Sequence, residues 1–280
     1  MRVLVVVILV AAVLGSLTAA SGLRSETVTA AAEEPVSSGQ PDTAPRFSGT
    51  RPGNAEVAVD VRGEWSWALR ELTTGAVVGG GTLRTTAESL IKIWLVVDFL
   101  ASRESRISAA DEGRVTRMIR VGDDRAAQTL YLRLGEDDSI ARMIRTCGLR
   151  ETVVHPHRWS KTTMSAADAS LLGRCVARGP GVSPQWRSKL LDLMRSVDPG
   201  DAFGIAEAPA LAGERPAVKN GWTRHGSSWT VNCLAIWDHW VLAVLVHYPD
   251  QGDEHRYGAE VCKTVAQQLF GRTGAGFAPG

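Results

Sequence analysis

Ser89-Leu90-Ile91-Lys92-Ile93-Trp94-Leu95-Val96-Val97-Asp98-Phe99-Leu100 is the stretch from which the rest of the chain is read. From Leu90 onward nearly every position is apolar, and the run is long enough for a helix buried on most of its faces. Ser89 opens that helix. Lys92 lies three positions on, one turn along the same face, so the two side chains can touch. A serine held on the first turn of a buried helix beside a desolvated lysine is a candidate nucleophile with its own base, because burial and a second nearby cation both lower a lysine pKa. General-base help of this kind is typically worth about 10²–10⁴-fold. The other reading of Lys92 is an ordinary lysine that lays its stem along an apolar helix and its head in water.

Spacing alone does not decide between these readings. With 20 serines and five lysines in 280 residues, Ser-x-x-Lys arises by chance about one time in three. The context comes from Lys219-Asn220-Gly221, which reads as part of a strand over 217–221. Lys219 supplies a second cation, and the edge of its strand supplies backbone N–H groups. The amides of Ser89 and Trp222 could then form an oxyanion hole for acyl transfer.

The segments around these motifs set the architecture. Residues 64–72 alternate, Thr73-Thr74-Gly75 turns, and 76–79 resumes the alternation, which reads as a β-hairpin. Helical periodicity runs through 114–121, 124–134 and 139–147, and Ser165-Ala166-Ala167-Asp168 reads as a capping box opening a helix toward Arg178. Strands return at 217–221, 229–237 and 240–248, the last two joined by a tight Asp238-His239 turn, and a helix over about 254–270 closes the chain. Strands at both ends with helices between them predict an α/β lobe that holds an all-α lobe.

Residues 1–20 read as a secretory signal: Arg2, an unbroken apolar run over 3–14, then Thr18-Ala19-Ala20 as a small-residue cleavage site. Spanning a membrane takes roughly 20 apolar residues, so the rival reading is an uncleaved anchor reaching Ala20. Residues 21–54 are poor in large apolar side chains and read as a flexible linker. The expected folded domain covers 55–272, with a tail at 273–280. The protein is expected outside the cytoplasm, as a monomer and without stable membrane insertion once the signal is removed. Its formal net charge of +1 gives no reason to expect a nucleic-acid partner.

Cys147, Cys175, Cys233 and Cys262 form an even set in an exported chain and point to two disulfides. Four cysteines allow three pairings. The favoured one is Cys147–Cys175 with Cys233–Cys262, which would staple one helix end to the next helix and a strand to the C-terminal helix. No close C-x-x-C spacing suggests metal, and no cofactor is expected. His155 and His157 could bind a metal or act as a base, but two ligands do not make a site and loop structure is the default. Arg224 and His225 either help bind a carboxylate or are turn residues. Of the nine tryptophans, most are expected in the sheet core, with Trp222 lining the cleft.

Over residues 60–270 the chain resembles the class A serine β-lactamase and penicillin-binding-protein superfamily. The hairpin ending in Thr74-Gly75, Ser89-Leu90-Ile91-Lys92, the stretch from Ile119 through Gly122-Asp123-Asp124 to Ala127, and Lys219-Asn220-Gly221 followed by two strands occur in the family's order and spacing. The resemblance implies a β-lactamase/transpeptidase-like fold with Ser89 as nucleophile and Lys92 as its base. It implies Lys219 as electrostatic partner of a substrate carboxylate, with Asp124, Asn220, Gly221 and Trp222 around the substrate. The substrate would be a β-lactam or an acyl-D-Ala-type peptidoglycan peptide. The non-enzymatic alternative is a cell-envelope binding protein on the same fold.

Three departures from the family's pattern shape the expectation. Gly122-Asp123-Asp124 stands where the family has Ser-Asp-Asn, so the hydroxyl that passes a proton to the leaving nitrogen is missing. Asp124 adds negative charge beside the nucleophile, unless both aspartates simply cap the next helix. Class A enzymes deacylate through a loop glutamate and a water. Here Glu151 is the only carboxylate from 151 to 164, and the loop is short, which predicts a slowly released acyl-enzyme.

Overall fold

The hairpin forms as read: β1 (Glu64–Glu71) pairs antiparallel with β2 (Val77–Gly80). In the computed structural model, residues 57–103 and 107–271 are described. All of them belong to one compact unit, Gly49–Gly280. The expected signal, linker and tail lie outside the described residues. The three late strands are β5 (Ala217–His225), β6 (Ser228–Trp237) and β7 (Trp240–Pro249). Together with the hairpin they make a five-stranded sheet in the order β2-β1-β7-β6-β5, antiparallel throughout.

Strand alternation divides the core between the two faces of this sheet. Ala68, Leu234, Ile236, Val241, Ala243 and Leu245 turn toward the helical part of the molecule. Trp67, Val231, Cys233, Ala235, Val244 and Val246 pack on the other face against α7 (Arg256–Phe270) and the segment around Ile205 and Leu211. Trp67 and Trp237 are buried in that second layer, while Trp65, Trp229 and Trp240 are partly buried at its margin. Covered on both faces, the sheet is rich in β-branched residues along β6 and β7, as a doubly buried sheet should be.

The stretch that opens the sequence becomes one 3₁₀ turn, Glu88–Leu90, running into α1 (Ile91–Ala101). Every residue from Ile91 to Leu100 is buried, so α1 is the axis of the helical layer. Around it lie α2 (Ala109–Arg120), α3 (Asp124–Arg133), α4 (Asp137–Cys147) and α5 (Ala166–Arg178). The buried Asp98 of α1 is satisfied by Ser139 Oγ at 2.6 Å and by both arms of the Arg142 guanidinium at 2.9 and 2.7 Å, which ties α1 to α4. Serine N-caps start α5 and also α6 (Pro184–Arg195), a helix not anticipated from the sequence. At the start of α5, Ser165 caps the Asp168 N–H, but the Asp168 carboxylate does not return to the cap. It accepts instead from the Arg150 and Glu151 amides and from Thr152, pinning the chain that leaves α4.

Cys147 at the end of α4 is bonded to Cys175 in α5, and Cys233 in β6 to Cys262 in α7, which is the favoured pairing. Among the described residues, no helix is long and apolar enough to cross a membrane.

Candidate active site

The Ser89 turn is fixed from three directions. Ahead of it, β3 (Arg84–Thr86) pairs with β4 (Thr163–Ser165) in a separate two-stranded sheet. From the main sheet, the fully buried Asn232 donates through Nδ2 to Thr86 O at 2.7 Å and accepts from Thr85 Oγ1 at 2.7 Å. From the loop, Thr162 O accepts the Ala87 N–H at 2.7 Å. Glu88, immediately before Ser89, sits at φ 49, in the left-handed region where a non-glycine residue is strained.

Strand β5 presses directly on this turn. A side chain at Gly221 would start 2.7 Å from the Ser89 nitrogen and 2.9 Å from Ala87 O, so only glycine permits the approach. Lys92 and Lys219 are each 1% exposed and near enough for the charge of one to act on the other. Lys219 is pushed down to about 8, first by burial and then by the charge of Lys92, with Asp201 and Asp124 opposing the shift. Its Nζ donates to Asn220 O at 3.1 Å.

Lys92 Nζ is held by Gly122 O and by Asp124 Oδ1, both at 2.6 Å, and it lies 5.6 Å from the centre of the Trp159 ring. The charge expected beside the nucleophile is therefore a direct ion pair with the candidate base. Asp123 behaves as a cap, accepting the Ala126 N–H at 3.0 Å and pairing with Arg117 at 3.1 Å. The two aspartates thus divide the roles that were open for them.

The cleft above has a volume of about 490 Å³ and is lined by Ser89, Asp124, Arg125, Arg158, Trp159, Lys161 and Trp222, among others. Trp222 stacks edge-on against Phe203 at 5.0 Å and lies 5.1 Å from His255. Asn220 is fully buried, and its Nδ2 donates to Asp201 O and Phe203 O, both at 2.9 Å. Its amide therefore anchors the loop behind β5, while its Oδ1 accepts no hydrogen bond among the described residues. Glu151 is paired with Arg84 at 2.8 Å and lines a different groove, along β2. The loop turns Trp159 toward Lys92, with its Nε1 anchored on Gln128 Oε1 at 3.0 Å.

His157 pairs with Glu136 at 2.9 Å on the rim, where its pKa is raised, first by that hydrogen bond. Arg224 pairs with Asp250 at 2.6 Å. His225 joins a cluster that sequence reading missed. In it, the buried Glu88 accepts from Thr86 Oγ1 at 2.6 Å and Thr223 Oγ1 at 3.1 Å, and contacts His225 Nε2 at 3.0 Å and Lys161 Nζ at 3.4 Å. Asp201, whose Oδ2 is buried without a hydrogen bond among the described residues, was missed as well. Both groups assemble from segments distant in sequence, and no local spacing signals them.

An antiparallel sheet with α7 on one face and a helical layer on the other, and a serine and two buried lysines where the lobes meet, defines a β-lactamase-like hydrolase class. The chain belongs to the beta-lactamase enzyme family, whose model matches residues 106–271. That match begins after Ser89 and Lys92. Among solved structures, a beta-lactamase from Chitinophaga pinensis aligns at TM-score 0.62 and 15% identity, over 75% of this chain and 94% of that one. A representative of class A beta-lactamase from Bacteroides cellulosilyticus aligns at TM-score 0.63 and 11% identity, over 76% and 92%. A PBP-A mutant solved as an acyl-enzyme complex with penicillin G aligns at TM-score 0.59 and 21% identity, over 72% and 89%. At these identities the likeness shows the β-lactamase/transpeptidase-like fold. No curated protein matches the chain.

Proposed function

We propose that the protein is a serine hydrolase that is acylated on Ser89 by a β-lactam or an acyl-D-Ala-type peptide amide and releases the acyl group slowly. The observation that carries this reading is the pairing of the Ser89 turn with β5, close enough that only glycine fits at 221, above two buried lysines. In this reading Lys92 takes the Ser89 proton once it leaves Asp124. Lys219 holds a substrate carboxylate, and the Ser89 and Trp222 amides receive the oxyanion. Slow release is supported by the loop, which brings the Trp159 ring over Lys92 and keeps Glu151 in another groove. No carboxylate of that loop is then available to activate a water for deacylation. The protein is expected to act outside the cytoplasm on cell-wall material. Labelling of the full chain by a fluorescent penicillin, abolished in Ser89→Ala, is the expected result; labelling that persists in the variant sinks the proposal.

A second reading is favoured by the Lys92–Asp124 ion pair, which occupies the would-be base. A non-enzymatic envelope protein would bind peptidoglycan fragments in the cleft equally well with Ser89→Ala and form no adduct.

A further inference from the structure

We propose that Asp201 is a catalytic residue that delivers the proton to the leaving nitrogen, in place of the hydroxyl that residue 122 lacks; this rests on acylation of Ser89 as read above. Residue 122 is a glycine at φ +66, and its carbonyl holds Lys92. A side chain there would start 3.3 Å from Asp201 Oδ2 and 3.9 Å from Lys92 Nζ. The carboxyl and the lysine therefore converge on the point where a side chain of residue 122 would begin.

The oxygen that points there is unusual. Asp201 Oδ2 is shielded from water and accepts no hydrogen bond among the described residues. A buried carboxylate oxygen with no donor is costly, and such groups persist where a ligand or a proton completes them. The surrounding backbone is not loose. The Asp201 N–H donates to Asp198 O at 2.8 Å, and Asp201 O accepts from Asn220 at 2.9 Å, next to Lys219 on β5. The loop that carries the carboxyl is thus fastened to the strand that faces the nucleophile, and Lys219 senses the charge of Asp201.

The step balances without a co-reactant. The Ser89 Oγ–H proton passes to Lys92 Nζ, released from Asp124 as in the reading above, while Oγ bonds to the acyl carbon. Lys92 hands that proton to the Asp201 carboxylate, directly or through one water. The C–N bond breaks, the nitrogen takes the proton from Asp201, and both side chains return to their starting forms. In sum, O–H and C–N bonds break, and O–C and N–H bonds form.

A leaving nitrogen needs a proton and an aryloxide leaving group does not, which provides the test. Full-length wild type, Asp201→Asn and the Asp201→Asn, Gly122→Ser double variant are each mixed with a peptide amide and an aryl ester that share one acyl group. The rate of Ser89 acylation is followed for each. The expected result is that Asp201→Asn slows the amide at least about 100-fold more than the ester, as loss of a general acid does. Gly122→Ser should then recover at least about tenfold of the amide rate. Ester acylation also reports that the variant is folded. If Asp201→Asn slows both substrates equally, or neither, the proposal is overturned while acylation of Ser89 stands. If wild type acylates with neither substrate, the reading of the site itself fails and takes Asp201 with it.

Discussion

At the scale of single residues, the candidate base is already engaged. Lys92 is held by Asp124 Oδ1 at 2.6 Å, in the position where the resemblance places a neutral asparagine. That carboxylate occupies the Nζ on which the serine proton would have to land. Replacing it should free the lysine: Asp124→Asn is expected to raise the rate of Ser89 acylation by about tenfold, a change equivalent to about 1.4 kcal/mol. Rapid-mixing kinetics with a chromogenic β-lactam would check this, and an unchanged or slower rate would mean Asp124 serves the reaction. Lys219 supports a second prediction. With its pKa lowered to about 8 by burial and by Lys92, it is an ammonium below that pH and loses its charge above it. The KM for a carboxylate-bearing β-lactam should therefore rise as pH passes through 8, while the KM for its methyl ester should not. The sequence showed the lysines and the adverse charge at 124. It could not show the direct ion pair or the orphaned Asp201 oxygen, because the first depends on how α1 packs against the start of α3 and the second on where the loop before β5 lands.

Secondary-structure elements were the most legible level. The length of its apolar run made α1 plain, and β-branched and aromatic residues on either side of a tight turn made β6 and β7 plain. The α6 helix was overlooked although Ser183-Pro184 is a serviceable start, with the serine capping and the proline at the first turn. The two-stranded β3–β4 sheet was also overlooked, since three-residue strands carry too little pattern to read. The cysteine pairing followed from elements read correctly: a helix end lies beside the next helix, and a strand lies under the last one. Because β6 also carries Asn232, which holds the Ser89 turn, the Cys233–Cys262 bond braces the candidate site's own scaffold. Replacing both cysteines with alanine opens a loop with sequence separation 29 and should cost about 3–4 kcal/mol of stability, seen as a lower denaturant midpoint. A loss under about 1 kcal/mol would show that packing of α7 alone holds that layer.

Across the whole molecule, one sheet buried on both faces divides the labour. Its inner face and the helical layer set the Ser89 turn, and β5 brings Lys219 and Gly221 onto that turn from the side. The outer face and α7 supply rigidity and the aromatic support of Trp222. The same architecture sets the Trp159 ring beside Lys92, where it lines the cleft. The account therefore predicts an enzyme that takes up an acyl group and keeps it. An intact-mass time course of the full chain with penicillin G, beside Ser89→Ala, tests that most directly. The expected result is a mass increase of one intact penicillin G per chain that persists on the wild type and is absent from the variant. No adduct on the wild type, or an adduct that survives Ser89→Ala, would contradict it.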